Sequence, residues 1–382
     1  MRPKTTFPCT IMRGGTSKGI FLMEKDLPRD LELRNRIILA IFGSPDIRQI
    51  DGLGGANSLT SKLALISPSD KIDCDIDYTF GAVGIDRAFV DYSANCGNIS
   101  SAVGPYAISK GLVKTAEPFT IVKIYNTNTK KMICAKVPVW RRKVITEGDY
   151  AIDGCPGTSA KIELSFMDPG GAATGKLLPT GNLVDEVRLD EGDRYSVTIV
   201  DAGNPTAFVR AEELNLRGHE LPGEFDLDMA TRTKLEVIRK KVGELTGIPV
   251  TPSIPKISFV APSQDYKTVS GNTIRKESVS MLARVMAMGK MHKTFAITAG
   301  IPLAIAAVIP ESVVNQVYAG GRPVPEDREI VIGHPSGMME VRVNAKFEKG
   351  QPHIISCTVA RTARMIMDGK VYVPPGVYLS KK

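Results

Sequence analysis

A thiol and an amine carry the strongest chemical signal in this sequence. Cys96 stands in Asn95-Cys96-Gly97-Asn98, where a glycine-containing turn runs into the Ala-, Gly- and Ser-rich stretch 98–110. The first N–H groups of a helix have no intrahelical partner and carry partial positive charge. A thiol placed at such a start ionises more readily and can exchange a proton near neutral pH. A free cysteine is more often a small buried hydrophobe, but Cys96 alone of the six cysteines precedes a Gly-Asn helix opening. Lys62 follows the polar, Gly-rich run 51–58, opens an apolar strand and lies outside any charge cluster. A lysine partly withdrawn from water becomes a usable base; a lysine that merely holds a substrate carboxylate is the nearer alternative.

The elements that must position these residues occur twice. The segment from Gly15 to Glu24 is matched by Gly203 to Glu212, and the strand opened by Lys62 by one opened by Lys256. Cys96-Gly97-Asn98 is matched by Met288-Gly289-Lys290, each ahead of a small-residue apolar stretch. Three matches in order, each displaced by about half the chain, point to two similar lobes. The apolar stretches 98–110 and 291–309 read as core helices, and 31–42 and 229–245 as amphipathic ones. Alternation predicts strands at 71–78, 87–92, 119–125 and 132–139. The reading is an α+β protein with an N-terminal lobe of 1–184 plus 366–382 and a C-terminal lobe of 185–365. In each lobe a curved mixed sheet wraps one central helix.

Two helix starts facing one cleft would bind a substrate with two carboxylates, which makes Gly97, Asn98, Met288, Gly289 and Lys290 binding candidates. Thr16 and Ser17 in one Gly-flanked turn and Asn204 in the related turn can hydrogen-bond a carboxylate. Met288, at the place matching Cys96, cannot transfer a proton. The turn 333–337, with His334, fits either an anion nest or a plain tight turn, and His292 reads as an exposed or capping residue on a helix. The segment 13–18 lacks the spacing of a phosphate loop, so nucleotide binding is not expected.

Composition narrows the partners. With 382 residues, 43% hydrophobic and 24% charged, the chain suits two globular domains. Six scattered cysteines without CxxC spacing and four histidines without a ligand pattern predict reduced thiols, no metal and no cofactor. The net charge of +8 is dispersed and aromatics are only 6%, which fits small anions better than nucleic acid. No apolar run reaches the ~20 residues of a membrane span, and the N-terminus lacks a signal-peptide pattern. A cytoplasmic protein is expected, acting on a small-molecule dicarboxylate, and a homo-oligomer is compatible with this.

The motifs 13–19, 51–55, 60–62, 95–105, 168–171, 288–293 and 334–337, in order over nearly the whole chain, resemble the PrpF family. The resemblance implies the diaminopimelate-epimerase-like fold of two pseudo-symmetric lobes. It also implies proton transfer by the residues that fall on Lys62 and Cys96, in a cofactor-independent isomerase. Among the family's reactions it points to a double-bond shift between 3-methylitaconate and 2,3-dimethylmaleate. Isomerisation of 2-methylaconitate and tautomerisation of oxalomesaconate are the alternatives. A non-catalytic carboxylate-binding accessory protein is the alternative of another class. The epimerases place a second cysteine where the resemblance puts Met288, which argues against two-thiol racemisation.

Overall fold

The structure, a computed structural model, describes residues 4–190, 192–348 and 351–379. Residues 1–3 and 380–382, on which the N-terminal reading and the end of the expected N-terminal lobe rest, lie outside the described residues. The chain forms two compact units. One is Met1–Ala151 with Gly157–Glu163 and Arg361–Lys382; the other is Ile152–Pro156 with Leu164–Ala360.

The first unit opens with strands β1 (Thr6–Gly14) and β2 (Ser17–Met23), an antiparallel hairpin closed at Gly14 and Ser17. Helix α1 (Leu31–Phe42) follows, capped by the Asp30 carboxylate on Leu33 N–H at 2.8 Å and ended by Gly43 in the left-handed region. Its periodic apolar positions Ile37, Ile38, Ile41 and Phe42 join Ile20, Leu22, Leu63 and Leu65 in one core. Strand β3 (Lys62–Pro68) runs parallel to β2 with Gly19 opposite Lys62, and β4 (Ile76–Val83) returns antiparallel to it. After the short β5 (Val90–Asp91) comes α2 (Gly97–Ser109), then the hairpin β6 (Phe119–Asn126) and β7 (Lys131–Trp140). The C-terminal strand Ala363–Tyr372 pairs antiparallel with β1.

Helix α2 is buried from Gly97 to Ile108 and lies against β1, β2, β3, β6, β7 and the C-terminal strand, so the sheet surrounds it. Its composition permits this. At Gly104 a side chain would press into Val137 and Ala135, so glycine lets the helix approach β7 closely.

The second unit repeats the order. Strands β8 (Arg194–Ala202) and β9 (Asn204–Arg210) form a hairpin, and α3 (Met229–Thr246) follows. Then β10 (Lys256–Pro262) runs parallel to β9, with Thr206 opposite Lys256, and β11 (Met281–Ala287) returns antiparallel. The short β12 (Lys290–Met291), helix α4 (Ile297–Val308) and the hairpin β13 (Asp327–His334) and β14 (Gly337–Glu348) complete it. These elements follow the order of the first unit, to which the second adds a helix at Val313–Ala319 and a small ribbon of Tyr266–Lys267 with Thr273–Ile274. Among the described residues no single helix is long and apolar enough to cross a membrane.

Several expectations are corrected. The boundary expected after 184 lies earlier, because the 168–177 segment is bound into the second unit. Gly171 N–H donates to the Asp201 carbonyl at 2.8 Å, and the Asp201 carboxylate accepts from Ala173 N–H, Thr174 N–H and the Thr174 hydroxyl. The return expected at 366 comes at Arg361, since Thr362 already accepts from Gly15 N–H at 2.9 Å. The strand predicted over 71–78 starts only at Ile76. Asp73 takes a positive φ of 67° and breaks the run, leaving Ile72 92% exposed. The strand predicted over 87–92 shrinks to Val90–Asp91, and the helix predicted over 291–309 begins at Ile297.

Candidate active site

The parallel register of β2 and β3 sets the first unit's constellation. Gly19 faces Lys62, so Ser17, two residues upstream on the same face of β2, lies beside the lysine side chain. Lys62 Nζ donates to Ser17 Oγ at 2.9 Å and to Cys96 Sγ at 3.1 Å. All three are enclosed: Ser17 is 2% exposed, Cys96 8% and Lys62 9%. Thus a thiol and an amine 34 positions apart in the chain share one hydrogen bond, as proton exchange between them requires.

Each member is held from behind. Cys96 is the N-cap of α2 with extended backbone angles (φ −123°, ψ 100°), and its side chain makes no capping bond. The sulfur points instead to Lys62. The start of β3 is anchored by Gln49, whose amide donates to Ser61 Oγ at 2.9 Å and accepts from Ala56 N–H at 2.8 Å, under the Gly-rich loop. The Ser61 hydroxyl in turn donates to the Val83 carbonyl.

The β1–β2 turn is pressed onto the first turn of α2. Gly15 has a φ of +52°, and a Cβ there would overlap Asn98 Oδ1, while one at Gly14 would overlap the Asn98 carbonyl. Only glycine permits this approach, which lets Thr16 N–H reach Asn98 Oδ1 at 3.4 Å. The Arg13 guanidinium braces the same turn, donating to the carbonyls of Gly15 and Thr362 and to the Thr362 hydroxyl. Six of the candidates, Thr16, Ser17, Lys62, Cys96, Gly97 and Asn98, are thereby gathered at one place.

The other four belong to the second unit, and the sequence alignment of Met288 with Cys96 is corrected there. Met288 and Gly289, with φ of 52° and 78°, form the two-residue turn that joins β11 to β12. A turn with both central residues at positive φ suits a hairpin and cannot open a helix. Met288 is 38% exposed, the Gly289 carbonyl accepts from Arg232, and Lys290 is exposed. The helix start that corresponds to Cys96 is Ala296, the N-cap of α4, which also bears no proton-transferring group.

Asn204 is placed as the repeat implies. It is 1% exposed and donates to Thr298 Oγ1 at 2.9 Å, tying its turn to the first turn of α4 as Asn98 ties the Thr16 turn to α2. His292 lies in the loop after β12, buried, with Nδ1 accepting from Thr294 N–H, and not on a helix. The 333–337 turn is the tight link of β13 to β14. Met338 N–H there already binds the Asp153 carboxylate at 2.6 Å, so a residue of the same chain stands where an anion would.

Sequence reasoning missed the residues behind Cys96. Asn95 Oδ1 accepts from Cys96 N–H at 2.6 Å, and the Ser100 hydroxyl donates to the Cys96 carbonyl at 3.0 Å. Tyr78 on β4 is wholly buried beside them. Burial first, and the neighbouring Cys96 second, push its hydroxyl well above its ordinary range, so it stays protonated. The available signals were a hydroxyl inside an apolar strand for Tyr78, and for Asn95 and Ser100 their place in the motif around Cys96.

The family model described as PrpF protein matches residues 4–374. The chain belongs to the PrpF family. This PrpF protein is 47% identical to 3-methylitaconate isomerase of Eubacterium barkeri, over 98% of both chains. It is 39% identical to 2-methyl-aconitate isomerase of Shewanella oneidensis, over 97% of this chain and 98% of that one. Its fold matches the crystal structure of methylitaconate-delta-isomerase with a TM-score of 0.79 at 46% identity, covering 98% of this chain and 97% of the other. The α+β architecture and family expected from the motifs are those found.

Proposed function

We propose that this PrpF protein is a cofactor-independent isomerase that moves one proton along a small unsaturated dicarboxylate, converting 3-methylitaconate to 2,3-dimethylmaleate. The observation that carries the proposal is the Lys62 Nζ–Cys96 Sγ contact at 3.1 Å. Similarity to an enzyme named for this substrate supports the choice of acid.

One member of the pair takes the proton from the methyl-bearing carbon next to a carboxylate. The C–H electron pair becomes the new double bond, and the electrons of the old one extend to the methylene carbon. The intermediate is a dienolate whose charge rests on carboxylate oxygen. The early N–H groups of α2, which lack intrahelical partners, stabilise charge of that sign. A proton then returns to the methylene carbon, which becomes the second methyl group. Ser17, hydrogen-bonded to Lys62, fixes the amine and shuttles its proton. Because the proton leaves one carbon and enters another two bonds away, no oxidant or reductant is consumed.

The test is a panel of 3-methylitaconate, 2-methylaconitate and oxalomesaconate, followed by ultraviolet absorbance as the conjugation changes. Turnover of 3-methylitaconate with the highest kcat/KM is expected. A preference for a tricarboxylate would reassign the substrate within the family, and carboxylate binding without turnover of any acid would refute the enzyme reading.

A further inference from the structure

Behind the thiol lies a buried amide ladder that the proton transfer above does not use. Asn126, the last residue of β6, has no exposed surface, yet both ends of its side chain are occupied. Its Nδ2 donates to the Tyr78 carbonyl at 3.2 Å, to Asn128 Oδ1 at 3.1 Å and to Asn95 Oδ1 at 3.4 Å. Its Oδ1 accepts from Thr129 N–H at 3.0 Å and from the Thr129 hydroxyl at 2.7 Å. Asn95, 4% exposed, passes the chain on by accepting from Cys96 N–H at 2.6 Å and from the Ser100 hydroxyl at 3.4 Å. The ladder crosses from β6 to the first turn of α2 and ends on the backbone of the residue whose sulfur meets Lys62.

The bonds to Thr129 account for half of Asn126: they close the turn between β6 and β7, as a local Asx arrangement does. They do not account for the Nδ2 bond toward Asn95, which belongs to a distant part of the chain. That bond ends on the same Asn95 oxygen that takes the Cys96 N–H, so the orientation of the Asn95 amide is shared between β6 and the start of α2. The extended backbone at Cys96 needs such a brace, because the thiol itself makes no capping bond.

We propose that Asn126 is a positioning residue for the reaction. By orienting Asn95 it fixes the backbone of Cys96 and aims Sγ at Lys62. This rests on the reading of Cys96 as a proton-transferring group. A displacement of about 1 Å at a reacting group costs up to about 10²-fold in rate, and a loosened Cys96 backbone allows a movement of that size.

Two variants of the full chain test this. Asn126→Leu removes every bond at similar volume, whereas Asn126→Asp keeps the acceptor for Thr129 and gives up the donor for Asn95. We expect kcat to fall about 10–100-fold in both, with KM within about threefold. Alkylation of Cys96 by iodoacetamide, followed peptide by peptide so that the other cysteines are separated, should slow in parallel, because the thiol has lost the lysine that takes its proton. Cys155, outside the ladder, should react at an unchanged rate.

A folded variant with unchanged kcat and unchanged Cys96 alkylation overturns the proposal. So does faster Cys96 alkylation with a lowered Tm, which would mark a purely structural brace. If the leucine variant does not fold, the aspartate variant decides. Full activity of Cys96→Ala would remove the thiol from the reaction yet leave the alkylation comparison readable, so the two failures are distinguishable.

Discussion

Ser17, Lys62 and Cys96 form a short chain of hydrogen bonds, hydroxyl to amine to thiol, in which only the amine touches both neighbours. That order assigns different costs to different changes. Lys62→Arg keeps a positive charge but holds its protons too tightly to act as a base, so kcat should fall by about 10²–10⁴-fold, measured by the absorbance assay. Ser17→Ala removes one of the two bonds that hold the amine but keeps both reacting groups, and should cost less, about tenfold in kcat, with a pH–rate profile displaced from that of the parent. An unchanged profile and rate would make Ser17 a packing residue. The types of these residues were legible from the sequence: a lysine opening an apolar strand and a cysteine opening a small-residue helix. The contact of Ser17 with Lys62 was not, because it depends on β2 and β3 being parallel neighbours, which no local pattern specifies.

At the scale of elements, the decisive contact is the seating of the β1–β2 turn on the start of α2. Gly15→Ala would force a Cβ into the left-handed region, at about 1–2 kcal/mol, and into Asn98 Oδ1 as well. We expect a lower urea midpoint together with a lower kcat, because the same shift moves Ser17 and the helix end. Gly175→Ala, with comparable φ of +79° and open space around it, controls for backbone strain alone and should leave kcat intact.

The repeat was legible as strands and small-residue helices, but its third landmark was misplaced. The stretch 288–296 has the apolar and glycine content of 95–98, and sequence pattern does not separate a hairpin turn at Met288-Gly289 from a helix opening. The positive φ at Met288 makes that distinction. The 71–78 strand failed for a related reason, since one residue at positive φ outweighs four alternating apolar ones.

For the molecule as a whole, the unit that carries Lys62 and Cys96 is completed only by the end of the chain. The strand Ala363–Tyr372 pairs with β1 along its length, so a chain ended before Ala363 should lose the fold of the first unit, seen as lost near-ultraviolet circular dichroism and lost turnover. Asp368 on that strand binds Lys110, the C-cap of α2, at 2.6 Å and the Thr10 hydroxyl at 2.8 Å. The Lys110 ammonium holds its carboxyl below the usual carboxylate range, with the Thr10 hydrogen bond assisting. A carboxyl depressed in the folded state contributes stability above its unfolded value and loses it as pH falls through the folded one. The side chain is half exposed, so the contribution is at most about 1 kcal/mol. Asp368→Asn should therefore lower the urea midpoint slightly at pH 7, with the difference from wild type shrinking as pH falls through the folded-state value.

The two-lobed plan was legible in the sequence, while its seams were not. The boundary was expected after 184, yet the 168–177 segment ahead of it is already fastened by the Asp201 carboxylate. The most direct test of the proton transfer is proton NMR of 3-methylitaconate in D₂O with wild-type protein, Lys62→Ala and Cys96→Ala. The wild type should place deuterium on the new methyl group of 2,3-dimethylmaleate, and each variant should lose this by several orders of magnitude. Deuterium entering at the wild-type rate in either variant would contradict a reaction run by that pair.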